Sequence, residues 1–299
     1  MAGMTVLITP LVDATSPRRL VWLASGADGR PLGTASLRLP PDEGHADLEL
    51  DVHPAERRAG VGSRLLVEAA AAAAGRKGLR SVLTQPVDEG SPGDRFCVAR
   101  GLRLVLRLTY TRLDLALPLP AAGADVPGYR LIHWEGRVSD ELAETFARSR
   151  SAMDDMPMDD ADYTPDPWDV DRLHAVADAV SHRGEILCVT AAQSDDGEIA
   201  GFTELVVPGD GRGDAQHYGT GVLPAHRGRG LARWMKAGQI ARVRTRFPEL
   251  GGLLADTADS NTAMRRVNDS LGYGFTHRSL LYQYDVGQGS TTQRRQRAS

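Results

Sequence analysis

The sequence contains few cysteines, few lysines and few aromatic residues. Its 299 residues include two cysteines, and aromatic residues make up 5% of the chain. Two cysteines exclude a disulfide framework, and the scarcity of aromatic residues leaves the predicted cores to Leu, Val and Ala. Only Lys77 and Lys236 are lysines, so every other basic residue is an arginine.

Strong net charge and long apolar runs are also missing. The formal net charge is −4, and a general nucleic-acid binder needs a basic face, so we expect no nucleic-acid partner. No stretch approaches the ~20 apolar residues of a membrane helix, and the start of the chain lacks the pattern of a signal peptide. We therefore expect no membrane partner and a cytoplasmic location.

A repeat is present in place of these features. Residues 52–62 read VHPAERRAGVG and residues 222–232 read VLPAHRGRGLA, so Val, Pro, Ala, Arg and Gly recur with an offset of 170 residues. A helical period follows each copy, over Val61–Ala74 and Leu231–Arg246. Both halves are predicted to share one order of elements: three strands, a Gly-rich loop, a helix, a strand, a helix and a last strand.

Turn and linker signals indicate the domain boundaries. Asp28-Gly29 and Asp196-Gly197 each lie between two β-rich runs upstream of a repeat copy, and each predicts a hairpin. A Pro-, Gly- and Ala-rich segment separates the halves, and the C-terminal segment lacks apolar periodicity. The predicted organisation is an N-terminal domain at 1–117, a linker at 118–128, a C-terminal domain at 129–286 and a disordered tail at 287–299.

The two halves differ in length at one place. Between its first strand and Ile186, the second half has about 45 additional residues, with helices predicted at Asp140–Arg150 and Val170–Ser181. An acidic loop with Asp154 and Asp155 lies between these helices. The first half has about a dozen residues there, which is too few for two helices at about 1.5 Å per residue.

The Gly-rich loops predict anion binding. Each loop joins a strand to a helix, and its small residues allow the backbone to approach a ligand. The free N–H groups and the positive dipole end of the helix favour an anion such as a pyrophosphate. Neither loop fits a Rossmann fingerprint, and a Walker Gly-Lys-Ser/Thr sequence is absent.

The loops resemble the acyl-CoA pyrophosphate loop of the GNAT superfamily of N-acyltransferases, whose pattern is R/Q-x-x-G-x-G/A after V-x-P. The segment Ser260–Tyr273 resembles that family's final helix and turn. The resemblance covers nearly the whole chain, as two fused domains of an actinobacterial type. The residues that it implies for CoA binding are Val52, Arg57, Arg58, Ala59, Gly60, Val61 and Gly62 in the first half, and Val222, Arg227, Gly228, Arg229, Gly230, Leu231, Ala232 and Asn261 in the second.

The resemblance also implies a fold and a reaction. The fold is an α/β (α+β) arrangement in which each half has a mixed, mostly antiparallel sheet, splayed around its fourth strand and flanked by helices. The reaction is acetyl-CoA-dependent N-acetylation of a small-molecule primary amine by direct attack on the thioester, with no metal. An amino sugar, a polyamine, an amino acid and a natural-product amine all remain open as acceptors.

Two other functions remain open, a non-catalytic acyl-CoA sensor or scaffold and a protein lysine acetyltransferase. The sequence also leaves a monomer and a homodimer as alternatives.

In the family, helices at the position of the surplus residues form the wall of the acceptor pocket. The second half is therefore expected to be catalytic, and the first structural or CoA-binding only.

The chemistry requires a base, oxyanion donors and a proton source. Where the family usually has a tyrosine as proton donor, this chain has Cys97 and Asn268, so the donor is open among solvent, Tyr218 and Tyr273. Glu49 leaves a base possible in the first half. The catalytic candidates in the second half are Glu204, His217, Tyr218 and Asn268, and the candidates for binding a cationic amine are Asp154, Asp155 and Trp168.

Overall fold

The computed structural model of the chain describes residues 5–11, 16–40, 44–118, 125–161 and 167–286. These residues form two compact units. The first unit comprises Met1–Arg107, Met158–Thr164 and Arg278–Ser299, and the second comprises Leu108–Pro157 and Pro165–His277.

Strands alternate with helices along both halves of the sequence. The described strands are β1 (Val6–Leu11), β2 (Arg19–Gly26), β3 (Pro31–Arg38), β4 (Gly44–Val52), β5 (Leu79–Thr84), β6 (Val87–Asp88), β7 (Arg103–Asp114), β8 (Tyr129–Glu135), β9 (Glu185–Ser194), β10 (Ile199–Pro208), β11 (Gly213–Val222), β12 (Leu250–Ala258) and β13 (Gly274–Asp285). The described α-helices are α1 (Val61–Ala74), α2 (Pro92–Ala99), α3 (Asp140–Ser149), α4 (Val170–His182), α5 (Leu231–Arg246) and α6 (Thr262–Ser270).

The sheet of the first unit has the order β1-β2-β3-β4-β5-β13. The β4–β5 pair is parallel and its neighbours are antiparallel. This parallel pairing ends at Leu48 and Thr84, whereas β4 continues to Val52. Helix α1 buries Leu65, Ala69 and other residues at helical spacing in the core of this unit.

The second unit repeats this arrangement with the order β7-β12-β11-β10-β9-β8. Its one parallel pair among the described strands is β11–β12, and pairing ends at Gln216 and Leu254. Strand β11 continues to Val222 and β12 to Ala258, so the two strands separate. The predicted fold class, a mixed sheet splayed at its fourth strand in each half, is confirmed.

The predicted domain limits need one correction. In the first unit, Gln283–Asp285 of β13 pair with β5, and Leu280 and Tyr282 lie in the core. In the second unit, Leu108–Asp114 of β7 pair with β12. Each unit thus takes its last strand from the other half of the sequence. The predicted limits 1–117 and 129–286 missed this exchange because a strand pattern does not specify a distant pairing partner.

The locally encoded elements match their predictions. The Asp-Gly pairs form the β2–β3 and β9–β10 turns, where Gly29 has φ 81° and Gly197 has φ 92°. The surplus segment of the second half forms α3, a 3₁₀ turn at Arg150–Met153, and α4. Residues 119–124 of the predicted linker, residues 162–166 of the acidic loop and the predicted disordered tail lie outside the described residues. None of the described helices is long and apolar enough to cross a membrane.

Candidate active site

The site in the second unit is built around the separation of β11 and β12. The β10–β11 register shifts between Glu204 and Leu205, which pair with Gly219 and His217, so Tyr218 is an extra residue on β11. Such a bulge bends the strand and redirects its side chains. The corresponding β3–β4 pair of the first unit keeps one continuous register. The bulge therefore distinguishes the second unit from the first.

Both Gly-rich loops end in the same backbone geometry. Gly60 and Gly230 are the N-caps of α1 and α5, with left-handed φ values of 85° and 81°. A glycine cap carries no side chain to accept hydrogen bonds from the first turn of its helix, and both loops are solvent-exposed. The free N–H groups and the positive end of the helix dipole suit an anion. This geometry fits the diphosphate of a CoA ester.

The first arginine of each loop is anchored to the strand before it. The Nε of Arg57 donates to the Val52 carbonyl at 3.2 Å, and the Nε of Arg227 donates to the Val222 carbonyl at 2.9 Å. In the second unit, Arg227 also forms a two-point ion pair with Asp155, at 2.6 and 2.8 Å. Hydrogen bonding from Arg227 lowers the pKa of Asp155. We therefore reassign Asp155 from amine binding to holding the Gly-rich loop.

Trp168 contacts two cations of the protein itself. The guanidinium carbon of Arg150 lies 3.8 Å from its ring centroid, and that of Arg172 lies 4.2 Å from it. These arginines hold Trp168 within the predicted acceptor wall, where we expected it to meet a cationic amine. Asp154 is exposed.

Glu204 lies in the interior, beside the bulge. It is 4% exposed and forms an ion pair with Arg150, whose guanidinium is also buried. A Cβ atom added at Gly219 would lie 3.8 Å from its Oε2, so the carboxylate is adjacent to the bulged segment of β11. Glu204, one of the base candidates, therefore lies beside the bulge with a buried arginine partner that the sequence did not reveal.

His217 is a buried, neutral histidine. Burial, with a contribution from the charge of Lys236, lowers its pKa well below the usual value. Its Nδ1 lies 3.3 Å from the Glu204 carbonyl, which can only accept, so this nitrogen carries the proton. Its Nε2 then accepts from the Tyr273 hydroxyl at 2.7 Å. Both ring nitrogens are therefore hydrogen-bonded within the protein. This arrangement fits a structural role, in which His217 positions Tyr273 and β10, better than the role of a base.

Lys236 and Asp256 are charged groups that the sequence did not mark as candidates for the site. Lys236 on α5 is 2% exposed, and its Nζ lies 4.9 Å from the Tyr273 ring centroid. Burial lowers the pKa of Lys236 to about 7. Desolvation raises the pKa of Asp256, whose carboxylate accepts a hydrogen bond from Gln216. The sequence contained one signal of a buried charge, namely a lysine within the apolar face of α5. Lys236 follows the buried Met235 and precedes the buried Ala237.

Asn268 and Asn261 have structural contacts at both ends of α6. Asn268 is 2% exposed, and its Nδ2 donates to Thr257 Oγ1 at 3.3 Å. Its Oδ1 has no hydrogen-bond partner within the described part of the chain. Asn261 caps α6 by accepting from the Met264 N–H at 3.1 Å. Neither amide can supply an acidic proton, so Asn268 does not replace the missing tyrosine.

Two further proton-donor candidates have defined surroundings. Tyr218 is 47% exposed, and its hydroxyl accepts from Arg183 at 2.7 Å. Cys97, at the tyrosine position of the first half, is buried, and burial raises its pKa to about 11. A thiol of this kind stays protonated at neutral pH and packs as an apolar group. No cluster of three metal-ligating side chains occurs in the described ranges.

Comparisons with known proteins agree with this geometry. The acetyltransferase (GNAT) family matches residues 8–93 and 153–273. A mycothiol acetyltransferase of Nocardia farcinica is 29% identical over 257 residues, covering 85% of this chain and 80% of that protein. A mycothiol acetyltransferase of Clavibacter michiganensis is 27% identical over 255 residues, covering 80% of this chain and 72% of that protein.

Solved structures repeat the two-unit fold. A tandem GNAT protein from the clavulanic acid biosynthesis pathway superposes with a TM-score of 0.73 at 21% identity, covering 96% of this chain and all of that one. A GCN5-related N-acetyltransferase from Sphaerobacter thermophilus gives a TM-score of 0.65 at 19% identity, covering 89% of this chain and 80% of that one.

The fold and the paired Gly-rich loops define a tandem acyltransferase of the α/β class. The chain belongs to the acetyltransferase (GNAT) family and is an N-acetyltransferase, as the repeat and its loop motifs predicted. The family uses acetyl-CoA as co-substrate.

Proposed function

We propose that the second unit transfers the acetyl group of acetyl-CoA to a small-molecule primary amine. The amine nitrogen attacks the thioester carbonyl carbon, the carbon–sulfur bond breaks, and the thiolate leaves with a proton. The observation that carries this proposal is the separation of β11 and β12 beyond Gln216 and Leu254, next to the bulge at Tyr218 and the glycine-capped start of α5.

Each part of this arrangement has a role in the proposal. The first-turn N–H groups of α5, after Gly230, bind the diphosphate of CoA. The unpaired edge of β11 between the bulge and Val222 offers main-chain groups to the extended pantetheine arm, as an added strand would use them. Glu204 takes the proton of the attacking amine, because it lies beside the bulge where the thioester would end.

The acceptor is proposed to bind beside the bulge, next to the surplus segment of the second half. The 3₁₀ turn Arg150–Met153 packs directly on β11, where a Cβ atom at Gly221 would lie 3.0 Å from the Ala152 Cβ. The two relatives named mycothiol acetyltransferases support a small-molecule acceptor.

A substitution in the loop tests the assignment. We expect Gly230→Asp to reduce kcat/KM for CoA release by at least about 100-fold, because a carboxylate at the helix start repels the diphosphate. The assay is spectrophotometric thiol release from acetyl-CoA over a panel of amino sugars, polyamines, amino acids and a lysine peptide.

Gly60→Asp is the matched control, since Gly60 has nearly the same φ and therefore the same backbone strain. It should leave turnover within about twofold of the parent protein. Unchanged turnover in Gly230→Asp, or an equal loss in Gly60→Asp, would refute catalysis by the second unit. Calorimetric CoA binding without turnover of any amine would favour the sensor function, and turnover of the peptide alone would favour a protein acetyltransferase.

A further inference from the structure

Arg150 occupies an unusual place next to the proposed acceptor site. It is 8% exposed, and its guanidinium carbon lies 3.8 Å from the Trp168 ring centroid and 4.7 Å from that of Phe202. The guanidinium is therefore in contact with two aromatic rings. Stacked in this way, a guanidinium presents its N–H groups only in its own plane.

Those N–H groups are incompletely used. The Nε and Nη1 atoms of Arg150 are buried and make no hydrogen bond within the part of the chain that the structure describes. Nη1 is in ion-pair contact with Glu204, but without the alignment of a hydrogen bond. A buried donor without a partner destabilises the folded state, and a charged donor does so more strongly. The unpaired donors of Arg150 can therefore receive an additional hydrogen-bond acceptor, such as an oxygen atom of a ligand.

The ion pair lies next to the proposed reaction centre. Arg150 begins the 3₁₀ turn that packs on β11, and Glu204 Oε2 lies 3.8 Å from the Cβ position of Gly219, beside the bulge. Glycines at 219 and 221 let this turn pack closely on the strand, with Met153 Cε 3.5 Å from the Cβ position of Gly219. A ligand group at Gly219 is therefore next to the Glu204 carboxylate, whose ion-pair partner is Arg150.

Charge balance limits what that molecule can be. The Arg150–Glu204 pair is neutral as a whole, so a simple cationic amine would add an uncompensated positive charge next to the buried guanidinium. Bringing an unpaired charge into such a place is expensive. A molecule with both an ammonium group and an anion would instead form two new ion pairs in exchange for one.

We propose that the amine acceptor carries a carboxylate, which binds the guanidinium of Arg150 while the ammonium group binds Glu204. This inference rests on the proposed function, and it selects amino acids and related carboxylate-bearing amines from the wider group of amines. Arginine suits a carboxylate because its planar N–H groups match the two oxygens. Trp168 orients the guanidinium by stacking, and Arg172 lies within 4.2 Å of the same ring.

The experiment compares amino acids with the amines that remain when their carboxylate is removed. The pairs are lysine with cadaverine, ornithine with putrescine, and phenylalanine with phenethylamine, each assayed by thiol release from acetyl-CoA. We expect kcat/KM to favour the carboxylate-bearing member of at least one pair by roughly 10- to 100-fold, the range for hydrogen bonds between charged groups.

Variants connect this preference to Arg150. Arg150→Gln should remove the preference, whereas Arg148→Gln, at an exposed arginine of the neighbouring helix, should keep it. Because Arg150→Gln leaves Glu204 buried without its partner, the double variant Arg150→Gln/Glu204→Gln provides a neutral pair of similar size. Calorimetric lysine binding in the presence of CoA, weakened in the double variant but not in Arg148→Gln, supports the assignment if the single variant does not fold.

The two proposals fail in different ways. Equal turnover of both members of every pair overturns the carboxylate inference and leaves the proposed acetylation intact. Absence of turnover with every amine overturns the proposed acetylation. Calorimetry with lysine and cadaverine then decides the carboxylate inference: selective binding of lysine supports it, and equal binding or no binding of both overturns it.

Discussion

Lys236 shows how burial changes the properties of one side chain. It is one of two lysines in the chain, and it lies buried on α5, with its Nζ near the Tyr273 ring and Asp256 as its opposite charge. Burial disfavours the charged form, which is why its pKa falls to about 7. A solvent-exposed lysine has a pKa of about 10.4. The folded protein therefore binds fewer protons at this site than the unfolded chain between these two values.

This difference predicts a pH-dependent stability. The free energy of unfolding rises with pH wherever the unfolded chain binds more protons, so Lys236 costs stability below about pH 10 and costs most near and below pH 7. We expect Lys236→Met to raise the free energy of unfolding at pH 7 by about 2 kcal/mol or more, because one pKa unit corresponds to about 1.4 kcal/mol. Urea unfolding of variant and parent at pH 7.0 and 8.5 measures the effect.

The increase in the free energy of unfolding caused by Lys236→Met should be smaller at pH 8.5 than at pH 7.0. The buried thiols have raised pKa values, which change the free energy of unfolding with pH in the opposite direction. Their contribution is the same in variant and parent, so it cancels in the difference between the two proteins. Lys77→Met is the control, because Lys77 is exposed and should change neither value. A gain that is equal at both pH values would show that Lys236 titrates normally.

At the scale of elements, the two Gly-rich loops keep one geometry with different residues. The second loop residue is left-handed in both copies, with φ 67° at Arg58 and φ 78° at Gly228. Glycine adopts this conformation freely, whereas another residue pays roughly 1 kcal/mol. The first loop therefore retains a strained arginine where the second has glycine.

A substitution tests this strain. Arg58→Gly should raise the free energy of unfolding by up to about 1 kcal/mol, since it removes the left-handed cost at the expense of some unfolded-state entropy. Thermal and urea unfolding measure the change. Arg57→Gly is the comparison, because Arg57 has φ −67° and its Nε donates to Val52. That variant should be destabilised, and a gain in both would exclude backbone strain as the cause.

The two copies also share a contact between an acidic and a basic side chain, in which the two residue types are exchanged. In the first unit, Arg30 from the β2–β3 turn pairs with Glu56 at 2.6 Å. In the second unit, Glu198 from the β9–β10 turn lies 3.0 Å from His226. Each contact connects a hairpin to the 3₁₀ turn before its Gly-rich loop. The contact is thus repeated although the residue types are exchanged.

At the scale of the whole molecule, the two halves of the sequence depend on each other. Leu280 and Tyr282 of β13 are buried in the core of the first unit, and Leu113 of β7 is buried in the core of the second. Each large buried side chain contributes about 1.5–3 kcal/mol. A half-chain without its exchanged strand also leaves an unpaired sheet edge.

Expressing the halves separately tests this dependence. Residues 1–117 and 125–286, produced alone, are each expected to lack a cooperative unfolding transition. The strand that completes each unit belongs to the other half of the sequence and would be missing. Co-expression should restore a soluble complex that unfolds cooperatively, as measured by circular dichroism and size-exclusion chromatography. A cooperative transition in the isolated first half would contradict the role of β13 in that unit.

The sequence alone determined the features that depend on neighbouring residues. Helices α1 and α5, the Asp-Gly turns and the glycine-capped loops all follow from local periodicity and backbone preference, so they were predicted with their bounds. The duplication was visible because local patterns recur when an element order is repeated. The family followed from the same loop motifs.

Only the tertiary structure decided which distant residues meet. The exchange of β7 and β13 depends on pairing across more than a hundred residues, and no local pattern specifies it. The same holds for the pairing of Asp155 with Arg227 and of Glu204 with Arg150. Charge alone suggested that the acidic loop meets a cationic amine, whereas folding brought arginines of the chain itself to Asp155 and Glu204. Long-range electrostatic partners depend on the packing of elements, which residue types along one segment do not contain.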